Sequence, residues 1–234
     1  MPLRQIITVA GAALVALLCA APASARIIEI GAAPTVATPT CPASPCLAVS
    51  RTTGYQTKVV DDRSTFVVPR AGRIVAWTVS LGSPDERQID FFNTNYGAAS
   101  ARLTVLRRGE RLYSRVLAMT PVQQLQQYFG QSVQFPLETS IPVRRGQMIA
   151  LTVPTWAPAL TQLLSDGSSW RASRPKDGCE NTETQTAQSR NGQLTQYRCL
   201  YRARLTYSAT LITNPRPNTP PEPERPRRRQ NPGD

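Results

Sequence analysis

The run from Tyr197 to Leu211 constrains the fold of this chain more than any other stretch. Tyr197, Cys199, Tyr201, Ala203, Leu205, Tyr207, Ala209 and Leu211 fall on one side of a two-residue period, with Arg198, Arg202, Arg204, Thr206, Ser208 and Thr210 on the other. A helix, with about 3.6 residues per turn, would scatter this pattern. The run therefore reads as a long strand whose odd residues face a core and whose arginine face is the wet side of a sheet.

A second feature points the same way. Gly72-Arg73-Ile74-Val75-Ala76-Trp77-Thr78-Val79 and Gly146-Gln147-Met148-Ile149-Ala150-Leu151-Thr152-Val153 share Gly, Ala, Thr and Val in register. Each reads as a turn whose Gly takes a positive φ, feeding a strand rich in β-branched residues. Shorter strand signals fill the space between them: Tyr55, Thr57 and Val59 alternate, as do Val133, Phe135 and Leu137. Leu103 to Val105 and Leu112 to Val116 flank an expected hairpin turn at Arg108-Gly109. Ser83-Pro84-Asp85-Glu86 supplies an N-cap, an N1 proline and an N3 acid, and Gly97 a helix stop. A short helix is expected there, with Ile89, Phe92 and Tyr96 on one face. A turn or loop is expected at Thr120 to Gly130. Many short strands with Gly and Pro punctuation imply an all-β fold: a two-sheet antiparallel β-sandwich of jelly-roll type with one or two short helices.

The ends of the chain read differently. Met1 to Ala25 carries Arg4, an apolar run from Ile6 to Ala21, and Ala23-Ser24-Ala25 as a small-x-small cleavage site. This is the pattern of a secretory signal peptide, and its removal leaves no transmembrane segment. Residues 26–40 read as a leader or linker, 41–213 as the sandwich domain, and 214–234 as a disordered Pro/Arg-rich tail. The localisation implied is secreted or extracellular. Loss of the signal removes Cys19 and leaves Cys41, Cys46, Cys179 and Cys199. In an exported chain four cysteines read as two disulfides, and the local pairing Cys41 with Cys46 and Cys179 with Cys199 is preferred among the three connectivities. A four-thiolate zinc site lacks its ligand spacing, and no metal or other cofactor is expected.

Two resemblances accompany this reading. In hydrophobic spacing, Phe66-x-Val68-Pro69-x-x-Gly72-x-Ile74, then Leu103-x-Val105, then Val143-x-x-Gly146-x-x-Ile149-x-Leu151 resembles the jelly-roll heads of the C1q and tumour-necrosis-factor type. No Gly-X-Y stem accompanies it, so neither trimer formation nor ligand binding is carried over. The segments Val75–Val79, Val133–Leu137, Ala150–Leu160, Ser169–Ser173 and Tyr207–Leu211 resemble an uncharacterised family of secreted bacterial proteins. That resemblance implies no activity.

Chemistry is constrained mainly by what the chain lacks. Without histidine, Ser-His-Asp and Cys-His nucleophilic sites in their usual forms are excluded. A histidine-free glycan hydrolase needs only two facing carboxylates, and Asp90 with Glu138 or Asp61 with Asp62 are the pairs to inspect. An enzymatic role is the lesser expectation. The net charge of +12 resides almost wholly in arginine, with only Lys58 and Lys176 as lysines. It suits attraction to a polysaccharide or anionic cell-wall polymer; nucleic acid is not expected, because no binding motif or base-stacking signature is present. Trp156, in Pro154-Thr155-Trp156-Ala157-Pro158, and Trp170-Arg171 are the candidate ligand-binding residues, a Trp face beside polar groups being a sugar platform. The competing expectation packs both Trp rings in the core. Asp166 and Asp177 are weighed as calcium ligands without the loop spacing such a site needs. The function expected is a binding module for extracellular glycan or anionic wall polymer, with a structural or interaction protein of the surface or matrix as the alternative.

Overall fold

A computed structural model describes residues 25–32, 38–162, 167–180 and 185–215. The signal peptide and the tail lie, but for their innermost residues, outside the described residues, as does Asp166. Within the compact unit Arg26–Asn214, eight principal strands build two sheets: β1 (Ile27–Ile30), β2 (Val49–Lys58), β3 (Gly72–Ser80), β4 (Ser100–Arg108), β5 (Tyr113–Met119), β6 (Ser132–Val143), β7 (Met148–Ala157) and β8 (Tyr207–Thr213). One sheet has the order β1-β8-β3-β6, and the other is built on β5-β4-β7-β2, antiparallel throughout. This is the jelly-roll connectivity. The linker reading of residues 26–40 is corrected at its start, because Ile27–Ile30 pairs with Ala209–Ile212 as an edge strand.

The core between the sheets takes one side chain in two from each strand: Ile74, Trp77 and Val79 from β3, Leu103 and Val105 from β4, Ile149, Leu151 and Val153 from β7, and Ala209 and Leu211 from β8. Both repeated segments are strands, one in each sheet. Their glycines serve different ends. Gly146 has φ +86 with open space around it, as a turn requires. Gly72 takes no positive φ; a Cβ there would stand 2.2 Å from the Ile212 carbonyl oxygen, so glycine is needed for backbone approach to β8.

The period-two run is correct about burial and wrong about continuity. Cys199–Tyr201, Arg204–Leu205 and Tyr207–Thr213 are separate strands with different partners: Trp170–Ala172, Leu160–Thr161, and β1 with β3. The chain crosses from the larger sheet to the smaller one while its odd side chains stay inward. The other side is not wholly wet, since Arg204 and Thr206 are buried.

The helix α1 (Glu86–Tyr96) forms as expected, but its N-cap is Asp85, not Ser83. Asp85 Oδ1 accepts from Gln88 N–H at 2.8 Å while Gln88 Oε1 accepts from Asp85 N–H at 2.9 Å, a complete capping box. Residues Gly82 and Ser83 are already committed, donating their N–H groups to Pro158 O and Cys41 O. Ile89, Phe92 and Tyr96 share the face that packs on the core. The hairpin between β4 and β5 turns as expected, but the positive φ values fall on Arg111 and Leu112. The Thr120–Gly130 segment holds a two-residue strand, Gln123–Gln124, and a single 3-10 turn, Gln126–Tyr128.

The stretch joining β7 to β8 shapes the rest. Ser169–Ala172 extends the larger sheet beyond β2, and Cys199–Tyr201 extends it again. Leu194–Gln196 joins the same sheet at its other edge, beside β5. In a flat sheet of this order the two outermost strands would lie roughly 29 Å apart, yet from Gln196 to Cys199 the chain spans at most about 11 Å. The sheet must curl until its edges meet. Tyr197, fully buried at the junction, donates its N–H to Leu112 O and stacks its ring 5.1 Å from Tyr55. The curl encloses a second, smaller core of Tyr55, Leu106, Val116, Met148, Ala150 and Tyr197 on the face turned away from the sandwich.

Candidate functional site

The two candidate tryptophans are core residues. Trp156, fully buried, stacks on Phe92 of α1 at 4.6 Å and meets Phe129 at 5.4 Å. Its Nε1–H donates to Asn93 Oδ1 at 3.0 Å, so the helix closes this end of the sandwich over it. Trp170 is 4% exposed, stacked on Tyr201 at 4.8 Å with Gly54 against its ring. Neither ring offers a face for a sugar to stack on, which corrects the platform reading.

Arg171 differs. Successive residues of a strand point to opposite faces, so Trp170 goes to the core and Arg171 to a cleft of about 340 Å³ at one mouth of the curled sheet. The cleft is lined by Tyr55, Thr57 and Lys58 of β2, Arg63, Arg108 of β4, and Ser169, among others. Lys58, Arg63, Arg108 and Arg171 give it four cationic side chains, and no carboxylate is among the described residues lining it.

Local structure holds these groups in place. Arg171 Nη1 donates to Tyr197 O at 3.2 Å and Arg198 O at 3.0 Å, pinning its guanidinium to the junction. The Arg108 guanidinium stands 5.8 Å from the centre of the Tyr55 ring. Burial pushes the Tyr55 phenol above its ordinary value, against the pull of Arg108 and Arg171. Thr57 Oγ1 bonds to Ser169, tying β2 to the neighbouring strand.

Beyond β2, Val59 and Asp62 exchange backbone hydrogen bonds across a tight turn. Val60 takes φ +54 there, a strained conformation for a β-branched residue. Asp62 accepts from Ser64 N–H, Ser64 Oγ and Thr65 Oγ1, and these bonds hold its carboxyl below the usual range. Asp61 pairs with Lys58 at 3.1 Å. The two carboxylates weighed as a hydrolytic pair thus build the turn that presents Arg63. Asp90 lies on α1 and Glu138 on β6. Among the described residues no group of three His, Cys, Asp or Glu side chains is placed to hold a metal ion.

Behind the cleft the second core is crossed by polar contacts. Thr152 Oγ1 bonds Thr104 Oγ1 at 2.6 Å and Thr53 Oγ1 at 2.9 Å; Gln188 N–H donates to Thr53 Oγ1, and Tyr197 Oη to Gln188 Oε1. At the far mouth Arg102 donates to Gln188 O.

The sequence reading found Arg171 and missed Lys58, Arg63 and Arg108. A usable signal was present: period two places Tyr55 with Thr57, and Leu106 with Arg108, on common faces at adjoining strand ends. Disulfides join Cys41 to Cys46 and Cys179 to Cys199, as expected. Among the described residues no helix is long and apolar enough to cross a membrane. Compared with known proteins, the chain finds no significant match to a family model, a curated protein or a solved structure.

Proposed function

We propose that this chain is a secreted binding module for an anionic extracellular polymer, a wall polymer or acidic polysaccharide, and that the cleft around Arg108 and Arg171 is its contact surface. The observation that carries this is the convergence of Lys58, Arg63, Arg108 and Arg171 on a cleft lined by no carboxylate among the described residues. Clefts of one sign focus the field and raise the local concentration of a partner of opposite charge. Thr57 and Ser169 add hydroxyls at the same place, able to bond sugar or phosphate oxygens. Secretion is supported by the residue pattern of Met1–Ala25 and by the two disulfides, which suit an oxidising compartment.

The test is binding of the full mature chain to polygalacturonate and poly(glycerol phosphate), with neutral dextran as control. Affinity for both polyanions should fall as salt rises, and the double variant Arg63→Gln/Arg108→Gln should weaken it at least about tenfold. Equal binding to dextran, or unchanged binding by the double variant with loss only on deleting residues 216–234, would remove the cleft from the reading.

A further inference from the structure

A second pocket lies against the Trp170 side of the strand whose Arg171 faces the cleft. It has a volume of about 170 Å³ and apolar walls from Leu47, Val49, Leu160 and Ala203, with Trp170 and Arg174 also lining it. Arg174 is 5% exposed. Its Nη2 donates to Ser50 O at 2.8 Å, and its Nη1 to Tyr201 Oη at 2.9 Å and Cys179 O at 3.4 Å. All of these acceptors are neutral. The Arg174 Nε–H has no partner, and neither has the buried Trp170 Nε1–H.

A guanidinium keeps its charge in any protein environment, and a buried charge is costly unless it is paired. Two donors without acceptors, on residues lining one pocket, make the cost larger. The arrangement is also rigid. Tyr201 Oη donates to Cys179 O at 2.6 Å, Trp170 stacks on Tyr201, and the disulfide joins Cys179 to Cys199 two residues before Tyr201. We propose that this pocket binds a small carboxylic acid as its anion, with a compact apolar body of the size of benzoate or a branched short-chain acid. The carboxylate accepts from Arg174 and from Trp170, and the apolar body fills the space between Leu47, Val49 and Leu160. Arg174 presents a planar fork suited to a carboxylate. A pocket of this volume with one cation takes a compact monoanion and excludes a polymer, so the site is separate from the cleft.

The test is calorimetric titration of the full chain, disulfides intact, with benzoate and 3-methylbutanoate against benzamide and 3-methylbutanamide. The acids should bind with at least roughly tenfold preference over the matched amides. Arg174→Met should abolish binding. Ala48→Leu, which fills the pocket from a half-buried position without touching a listed partner of Arg174, should abolish it too and decides the question if Arg174→Met does not fold. Equal binding of acids and amides, no binding of either acid by the folded chain, or acid binding that survives Ala48→Leu overturns the proposal.

Discussion

The two faces of the larger sheet are built from the same strands and reach burial by different chemistry. Toward the sandwich, β4 and β7 contribute Leu103, Val105, Ile149, Leu151 and Val153, an apolar surface matched by another sheet. Away from it, the alternate residues are Thr104, Leu106 and Arg108 on β4 and Met148, Ala150 and Thr152 on β7. This face is covered only because the sheet curls on itself. The first face is dry across its width, whereas the second passes from apolar side chains through hydroxyls to arginine at its mouths. One sheet thus separates the work of holding the fold together from the work of presenting charge.

Truncation on each face tests that division most directly. Leu151→Ala should cost about 4 kcal/mol in urea unfolding and Leu106→Ala about 3 kcal/mol, because a site near an open mouth relaxes more easily into the lost volume. Equal losses would mean that the second core is as closely packed as the first. Alkaline titration comes next. Burial holds the phenols of Tyr197 and Tyr207 above their ordinary value of 10.0, one on each face. A raised folded pKa gives stability that is complete below the unfolded value and lost as pH rises toward the folded one. Stability should therefore decline above pH 10, by roughly 1.4 kcal/mol per pH unit for each of these two groups. Tyr55 is raised less freely, because Arg108 and Arg171 oppose its burial; phenolate absorbance should show it ionising before the other two, an assignment that Tyr55→Phe checks.

Smaller effects sharpen the contrast. Thr152→Val removes hydroxyl contacts to Thr53 and Thr104 and should cost about 1–2 kcal/mol, although the new side chain is apolar and nearly the same size. No loss would show that this face does not depend on its hydroxyls. At the cleft, Val60→Asn relieves the positive φ and should raise stability by about 1 kcal/mol, read as an upward shift in the thermal midpoint.

Most of the sandwich was legible because alternation reports which side chains face inward. It does not report which strand pairs with which. Tyr197 to Leu211 keeps its period while changing partners, so the sequence shows its facing and hides the crossing. The same limit hid the second core. Thr53, Tyr55, Thr104 and Thr152 look like the solvent side of strands, and only the short link at Tyr197-Arg198 brings a cover over them. Trp156 and Trp170 were marked by their flanking Pro and Arg residues, but flanking residues cannot tell an inward ring from an outward one. The cleft was half visible for the same reason: Arg171 sat beside a conspicuous Trp, whereas Lys58, Arg63 and Arg108 come together only through the sheet order. Asp85 displaced Ser83 as the helix cap because the backbone of Gly82 and Ser83 was needed elsewhere, a tertiary demand no local motif records.

The pairing of β1 with β8 has a consequence in time. Ile27–Ile30 finds its only strand partner in residues 209–212, and Arg26 N–H donates to Thr213 Oγ1 at 3.0 Å beside them. The first strand must wait for the last, and β3 lacks one neighbour until then. Contacts so distant along the chain make folding slow. A ribosome-bound or half-translocated chain therefore has no stable partial sandwich to form, and stays threadable until its final strand is free.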